Sequence, residues 1–434
     1  MMKIGIETWS PRRPSRAVEK FLRRSAFSSE TEQVAAEILA DVRARGDAAA
    51  IAAVKKLDHA ALRASTLLVS KKELTAAARK VTPQIASAVA ESIARVTDFA
   101  VAGLRSPWYI QTKDGGAVGE FYSPMDRVGV YVPGGTAPLA STAVMTCAIA
   151  KAAGVKEILA CTPCAPDGSV NPVTLYALRE AGATEICRVG GIAAIGLMAF
   201  GSKTIRKVRK IVGPGNAWVT AAKRQVYGYV AIDQVAGPSE IAVLADETAN
   251  PAWVAADLLS QAEHGSGREK ALLVTTSEKL AQAVISEMIA QTKTLTRKAM
   301  VERVVSNGGV MVVKVKNTRE GLELVNRFAP EHFELQTKDA DDLIPLVRAA
   351  GAVFIGPWTP EPAGDFVAGP SHVLPTGGAA TMFNGLTVDD FRLRHSFVDY
   401  TKKDLKNALA TIEAFAGVEG LDGHGRSASI RFEK

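Results

Sequence analysis

Between Arg127 and Gly356 short apolar runs alternate with longer stretches of helical period, and that alternation constrains the fold most. The run "RVGVYV" is followed by "PGGTAPLAST" and a helical stretch through Ala153. Then come "KEILAC", "PVTLYALREAG", "EICRV", "GGIAAIGLMAFG", "KIV" and the stretch after "GPGN". The pattern restarts with "EIAVLAD", "PAWVAADLLSQAEHG", "KALLVTT", "EKLAQAVISEMIAQT", "GVMVV", "REGLELVNRFA" and "GAVFIG". Short β-branched runs separated by period-3.6 stretches predict parallel strands with helices on both faces. Two such series predict an α/β chain with two parallel-sheet domains, 111–236 and 237–375, although no sequence repeat relates them. Residues 1–110 read as a mainly helical segment packing on the first domain. Residues 376–434 read as a mixed, polar tail with a helix at about 402–416.

The remaining composition narrows the class. A net charge of +7 is spread along the chain, and "RKVRK" (Arg206 to Lys210) is its densest cluster. No basic arm is present, so nucleic acid is not an expected partner. No apolar run reaches the roughly 18 residues of a membrane span. The opening "MMKIGIETWSPRRP" carries charges where a signal peptide needs an apolar core. A soluble cytoplasmic protein without membrane contact is expected. The four cysteines fit a reducing compartment. Cys161 and Cys164 have redox-dithiol spacing but follow a strand and enter a loop, which disfavours a thioredoxin-like role.

In doubly wound sheets ligands bind beyond the C-terminal strand ends. The Gly-rich turns "PGGTAP", "VGGIAAIG", "GPGNA" and "AGPSE" lie after strands, where backbone amides can meet phosphates. None is a dinucleotide fingerprint or a P-loop, and each alone is common for conformational reasons.

Candidate chemistry is sparse, because the chain has only six histidines. In "LLSQAEHG" a helix would place Gln261 and His264 three apart on one face, able to touch one object. Glu331 and His332 are adjacent in "APEHFEL", in a loop leading to a strand: two proton carriers of different basicity, or else a surface Glu beside a half-buried His. Asp365 and His372 share "PAGDFVAGPSHVLPTGG", too rich in Gly and Pro for regular structure. His424 lies in "EGLDGHGRS", as a ligand or as a solvated tail residue. His59 and His395 sit among charges and read as structural or surface residues. Gln261, His264, Asp365 and His424 form a donor set acceptable to zinc, but most are far apart in sequence and spacing alone does not join them.

At these residues the chain resembles the histidinol dehydrogenase family from about residue 30 to 432. The likeness rests on "VGVYVPGGTAPLAST", "GPGNAWVTAAKRQV", "AGPSEI", "DLLSQAEHG", "APEHFEL", "GAVFIG", "GDFVAGPSHVLPTGG" and "EGLDGHGRSASIR". The resemblance implies two Rossmann-like domains, an extended dimerisation tail and an intertwined homodimer. It also implies zinc- and NAD-dependent oxidation of L-histidinol to L-histidine, through the aldehyde and with two NAD. Carried over, Gln261, His264 and Asp365 would bind zinc, with His424 arriving from the partner subunit. Glu331 and His332 would be the acid–base pair: His332 takes the alcohol proton and Glu331 activates water. Ser239, His372 and Glu419 would contact substrate, with Gln261, His264, His332, Asp365 and His424. Tyr131 and Asn216 would contact NAD.

The chain departs from the family where a glutamine usually meets NAD after "VGG": Ala193 stands there. A relative acting on another small polar alcohol, such as sulfopropanediol, is the alternative; Glu419, suited to an ammonium group, favours histidinol. A non-catalytic zinc- or nucleotide-binding scaffold is disfavoured by the intact Glu331, His332 and ligand set.

Overall fold

The computed structural model describes residues 3–23, 28–134 and 138–433. Strands such as Glu240–Ala245, apolar after its first residue and buried at every position, need cover on both faces, and parallel packing under helices supplies it. Two parallel sheets result, and both series of strands form as expected.

The first sheet contains β4 (Arg127–Tyr131), β5 (Glu157–Cys161), β6 (Glu185–Cys187), β7 (Lys210–Val212) and β8 (Ala231–Ile232), in the order β6-β5-β4-β7-β8. The second holds β1 (Ile6–Thr8), β9 (Glu240–Ala245), β10 (Lys270–Thr275), β11 (Val310–Lys314), β12 (His332–Gln336) and β13 (Ala352–Ile355). Its order is β1-β11-β10-β9-β12-β13. Leaving β1 aside, both sheets have their first strand in the middle, with the chain turning outward in both directions from it. The repeat that the sequence does not display is therefore present in the topology. Each sheet has a switch point, β4/β7 in the first and β9/β12 in the second, the usual place for a ligand crevice.

The N-terminus departs from the expected packing on the first domain. Ile6, Glu7 and Thr8 pair in parallel with Val312, Val313 and Lys314 of β11. Trp9, Val18 and Phe21 then join the core on one face of the second sheet, with Phe328 stacked on Phe21 at 5.6 Å. The apolar stripes of Ser29–Arg45, Asp47–Leu57 and Pro83–Ala102 do pack on the first sheet, through residues such as Leu39, Val42, Val54 and Val96. Ser28, Thr82 and Asn171 accept hydrogen bonds from the first turns of their helices, stopping each helix where it should begin.

A third, antiparallel sheet was not expected. β2 (Trp108–Gln111), β3 (Ala117–Pro124) and β14 (Arg392–Asp399) run in the order β14-β3-β2, so a strand of the tail pairs with β3, at the start of the 111–236 stretch. The tail then forms helices Lys402–Glu419 and Asp422–Ser429. No helix among the described residues is long and apolar enough to cross a membrane. All four cysteines are free and buried.

Candidate active site

The second sheet brings the main chemistry to the N-terminal ends of its central strands, the opposite edge from the one expected. His332 is the first residue of β12 and is buried. Its position opposite Ile241 places it at the β9/β12 switch point. The helix Pro251–Ala262 leaves the C-terminal end of β9 and runs back to this edge, so Gln261, in its last turn, arrives beside β12. The chain leaving β13 also turns back, and the short helix Glu361–Phe366 carries Asp365 to the same place. Asp365 thus sits on a helix, not in the irregular loop that its Gly/Pro-rich surroundings predict.

His332 is the centre of the arrangement. Its Nδ1 lies 2.9 Å from Gln261 Oε1 and 3.3 Å from the Glu240 carbonyl, two acceptors, so Nδ1 carries a proton. Its Nε2 faces Asp365 Oδ1 at 3.5 Å and Glu361 Oε1 at 3.9 Å, too long for good hydrogen bonds. His332 Nε2 and Glu361 Oε1 are both buried without a hydrogen-bond partner. The Glu331 carboxylate lies 3.8 Å from His332 Nδ1 and accepts the Glu240 backbone N–H at 3.0 Å. The Gln261 amide nitrogen lies 3.3 Å from His264 Nδ1, and His264 itself is exposed.

The charges are mutually dependent. Burial pushes the Glu331 carboxyl up to about 7, against the pull of His332. Burial disfavours the His332 cation, but Glu331, Asp365 and Glu361 outweigh it and hold the imidazole up at about 10. Burial would also raise Asp365, yet the His332 and His372 imidazoles near it bring it down to about 2. Glu361 is driven up to about 8 by burial and then by Asp365. Burial lowers His372, whose Nε2 is also without a partner. A carboxyl near neutral pH beside an imidazole suits proton transfer in both directions.

These observations bear on zinc. His332, Glu361 and Asp365 each offer a ligand atom, all within 4.8 Å of one another. With the Gln261 and His264 side chains adjoining, the orphaned donors fit a divalent cation of borderline softness. Glu361 was missed by sequence reasoning. Its only signal is a pair of acids four apart in "EPAGD", which a short helix turns to one face.

His424 and Glu419 stand together in the tail, exposed, on a groove that Ile412, Phe415 and Leu421 also line. The Gln261–His332–Asp365 group is built without them. Ser239 lies just before β9, and its carbonyl accepts the Lys270 N–H.

The first sheet follows the expected rule. Tyr131 ends β4 and Asn216 follows β7, so both sit at the C-terminal side of that switch point. The Tyr131 hydroxyl accepts the Gly191 N–H at 3.1 Å, and burial pushes the phenol up to about 12. The Asn216 side-chain oxygen caps the next helix through Trp218 and Val219. Close approach is built in here: a Cβ on Gly134 or Gly190 would lie 2.7 Å from the Pro163 ring. Both glycines are therefore required by packing against Pro163 at this strand end. Ala193 is buried inside the helix Gly191–Phe200. Part of the "PGGTAP" turn, residues 135–137, lies outside the described residues.

The fold and site define an oxidoreductase of the α/β class, with paired parallel sheets and an acid–base group at one switch point. The family model for histidinol dehydrogenase matches residues 22–432. The chain belongs to the histidinol dehydrogenase family. It is 43% identical over 422 residues to the histidinol dehydrogenase of Heliobacterium mobile, covering 97% of this chain and 98% of that one. Identity to the Geobacillus kaustophilus histidinol dehydrogenase is 43% over 415 residues, covering 95% and 97%. The crystal structure of histidinol dehydrogenase from Elizabethkingia anophelis superposes with a TM-score of 0.93 at 35% identity, covering 99% of this chain and 98% of that one.

Proposed function

We propose that this protein oxidises L-histidinol to L-histidine in two NAD-linked steps at the His332 site. The observation that carries the reading is the placement of His332, with its protonated Nδ1 on Gln261 and Glu240 and its Nε2 directed at the Asp365 side. In the first step His332, once deprotonated at Nε2, takes the hydroxyl proton while hydride leaves the carbinol carbon, giving the aldehyde; with its imidazole held up at about 10 in the metal-free protein, this step gains rate as the pH rises. In the second, Glu331 takes a proton from water as it adds to the aldehyde, and a second hydride leaves the hydrate to give the acid. Each step consumes one NAD and yields one NADH and one proton. The Glu331 carboxyl, buried but anchored by the Glu240 N–H, is basic enough for that step near neutral pH.

Gln261, His264 and Asp365 would hold zinc together with His424 of the partner subunit. When bound, zinc would supply a fixed anchor for the substrate's imidazole and amine, so its contribution is positioning. Ser239, His372 and Glu419 line the substrate position, and Glu419 offers a carboxylate to the ammonium. Tyr131 and Asn216 receive NAD, whose nicotinamide supplies the hydride acceptor.

A homodimer explains the tail. Phe415 and Val418 are 64% and 89% exposed beside Glu419, a costly arrangement unless another surface covers them. Covering by a second copy would carry His424 and Glu419 to the partner's site.

Incubation of zinc-loaded protein with NAD and L-histidinol should yield L-histidine by mass spectrometry. Turnover of another small alcohol such as sulfopropanediol, with none of histidinol, would overturn the substrate assignment.

A further inference from the structure

Glu361 is buried beside the site and, beyond offering an oxygen to the His332–Asp365 cluster, holds none of the roles proposed above. The residue is held through both its side chain and its backbone. Oε2 accepts the Ser260 hydroxyl at 3.0 Å, one residue before Gln261. Its backbone N–H donates to Glu334 Oε1 at 2.9 Å, and Glu334 lies two residues beyond His332 on the same strand face. A carboxylate oxygen of Glu361 lies within 4.8 Å of one on Asp365, one helical turn on. Glu361 thus joins the three elements that carry Gln261, His332 and Asp365. The remaining oxygen, Oε1, has no partner and faces His332 Nε2.

Behind Glu361 the supports are themselves held. Glu334 Oε2 accepts Gln336 Nε2 at 2.8 Å, and the same amide reaches Asp257 at 3.1 Å. All four residues are buried. Two carboxyls as close as Glu361 and Asp365, within 4.8 Å, destabilise one another unless a proton or cation is shared between them. Such an arrangement costs the empty protein stability and suits one that holds a divalent ion.

We propose that Glu361 is a positioning residue for the metal centre, orienting Asp365 toward the ion and His332 toward the reacting hydroxyl. The inference rests on the metal-dependent reading of this site. Outer carboxylates that orient metal ligands commonly set affinity by about 10- to 100-fold.

The test is Glu361→Gln, which keeps the side chain's shape and its bond to Ser260 while removing the charge. Zinc affinity should fall about 10- to 100-fold by competition with a chelator. The absorption spectrum of the cobalt-substituted protein should change in intensity, because Asp365 is no longer held. The melting temperature of the metal-free protein should stay the same or rise, since a clash of buried carboxyls is relieved. Glu361→Asp, which keeps the charge on a shorter arm, should recover part of the affinity. A fall in metal-free melting temperature with wild-type zinc affinity and spectrum would overturn the proposal and leave Glu361 a packing residue. If Glu361→Gln does not fold, Ser260→Ala, which frees the carboxyl from its anchor, should weaken zinc binding in the same direction; unchanged affinity there would also overturn it. Failure of wild-type protein to bind zinc at all would instead overturn the metal-dependent reading. None of these readouts depends on histidinol turnover.

Discussion

His332 Nδ1 lies 2.9 Å from the Gln261 side-chain oxygen, so the proton carrier and a metal-ligand candidate share one hydrogen bond. Orientation of the imidazole and placement of the ligand helix are therefore coupled. Because Nδ1 is also within 3.3 Å of the Glu240 carbonyl, the ring keeps its tautomer when Gln261 turns toward an ion.

Replacement of His332 by alanine should lower turnover by about 10²- to 10⁴-fold, the usual worth of a positioned base. Zinc content should stay at the wild-type level, because Gln261, His264 and Asp365 remain. Elemental analysis beside steady-state rates checks this. Loss of zinc would make His332 a ligand.

The metal-free protein should show a pH-dependent stability that Glu331 supplies. Its folded carboxyl is raised to about 7 from an ordinary 4.5. The contribution is thus fully present below pH 4.5 and lost as the pH rises to about 7. The shift corresponds to about 3 kcal/mol at most. Denaturant titrations from pH 4.5 to 8 should show wild type losing stability relative to Glu331→Gln as the pH rises. Parallel curves would contradict the burial of a titrating carboxyl.

Gly213 should tolerate no side chain. It has φ +116°, and a Cβ would lie 2.2 Å from the Tyr131 carbonyl oxygen, across the β4/β7 switch point. Gly213→Ala should cost about 2 kcal/mol or more from strain alone. It should also weaken NAD binding, because the turn carrying Asn216 must shift. Denaturation and NADH fluorescence titration check both parts.

Two inactive proteins should complement one another if the site is shared. Asp365→Ala lacks a ligand in the body of the chain, and His424→Ala lacks one in the tail. Mixed dimers contain one site with both ligands intact. Co-refolded protein should therefore regain up to about a quarter of wild-type activity, as statistical assembly into symmetric pairs requires. Heterodimers with no recovered activity would remove His424 from the shared site.

The residues that sequence made legible are those whose signal is local. Alternating runs announced both sheets, and Gln261 and His264 were readable as neighbours because one helical turn relates them. What escaped depends on distant pairing. β1 is three residues long and joins a strand some 300 positions away, so no periodicity marks it. Asp365 lies on a six-residue helix whose Pro and Gly content resembles a loop. The edge of the second sheet on which the site lies was also hidden. Strand alternation predicts a crevice, but whether a helix end or a strand end lines it depends on how far each connection runs back. For Glu361, the informative contacts are with Ser260 and Glu334, and neither is near it in sequence.

A four-electron oxidation at one site fixes the NADH yield. With zinc-loaded protein, excess NAD and a limiting, weighed amount of L-histidinol, two NADH should form per histidinol consumed, with no accumulating aldehyde. A yield of one NADH with free aldehyde released would contradict it.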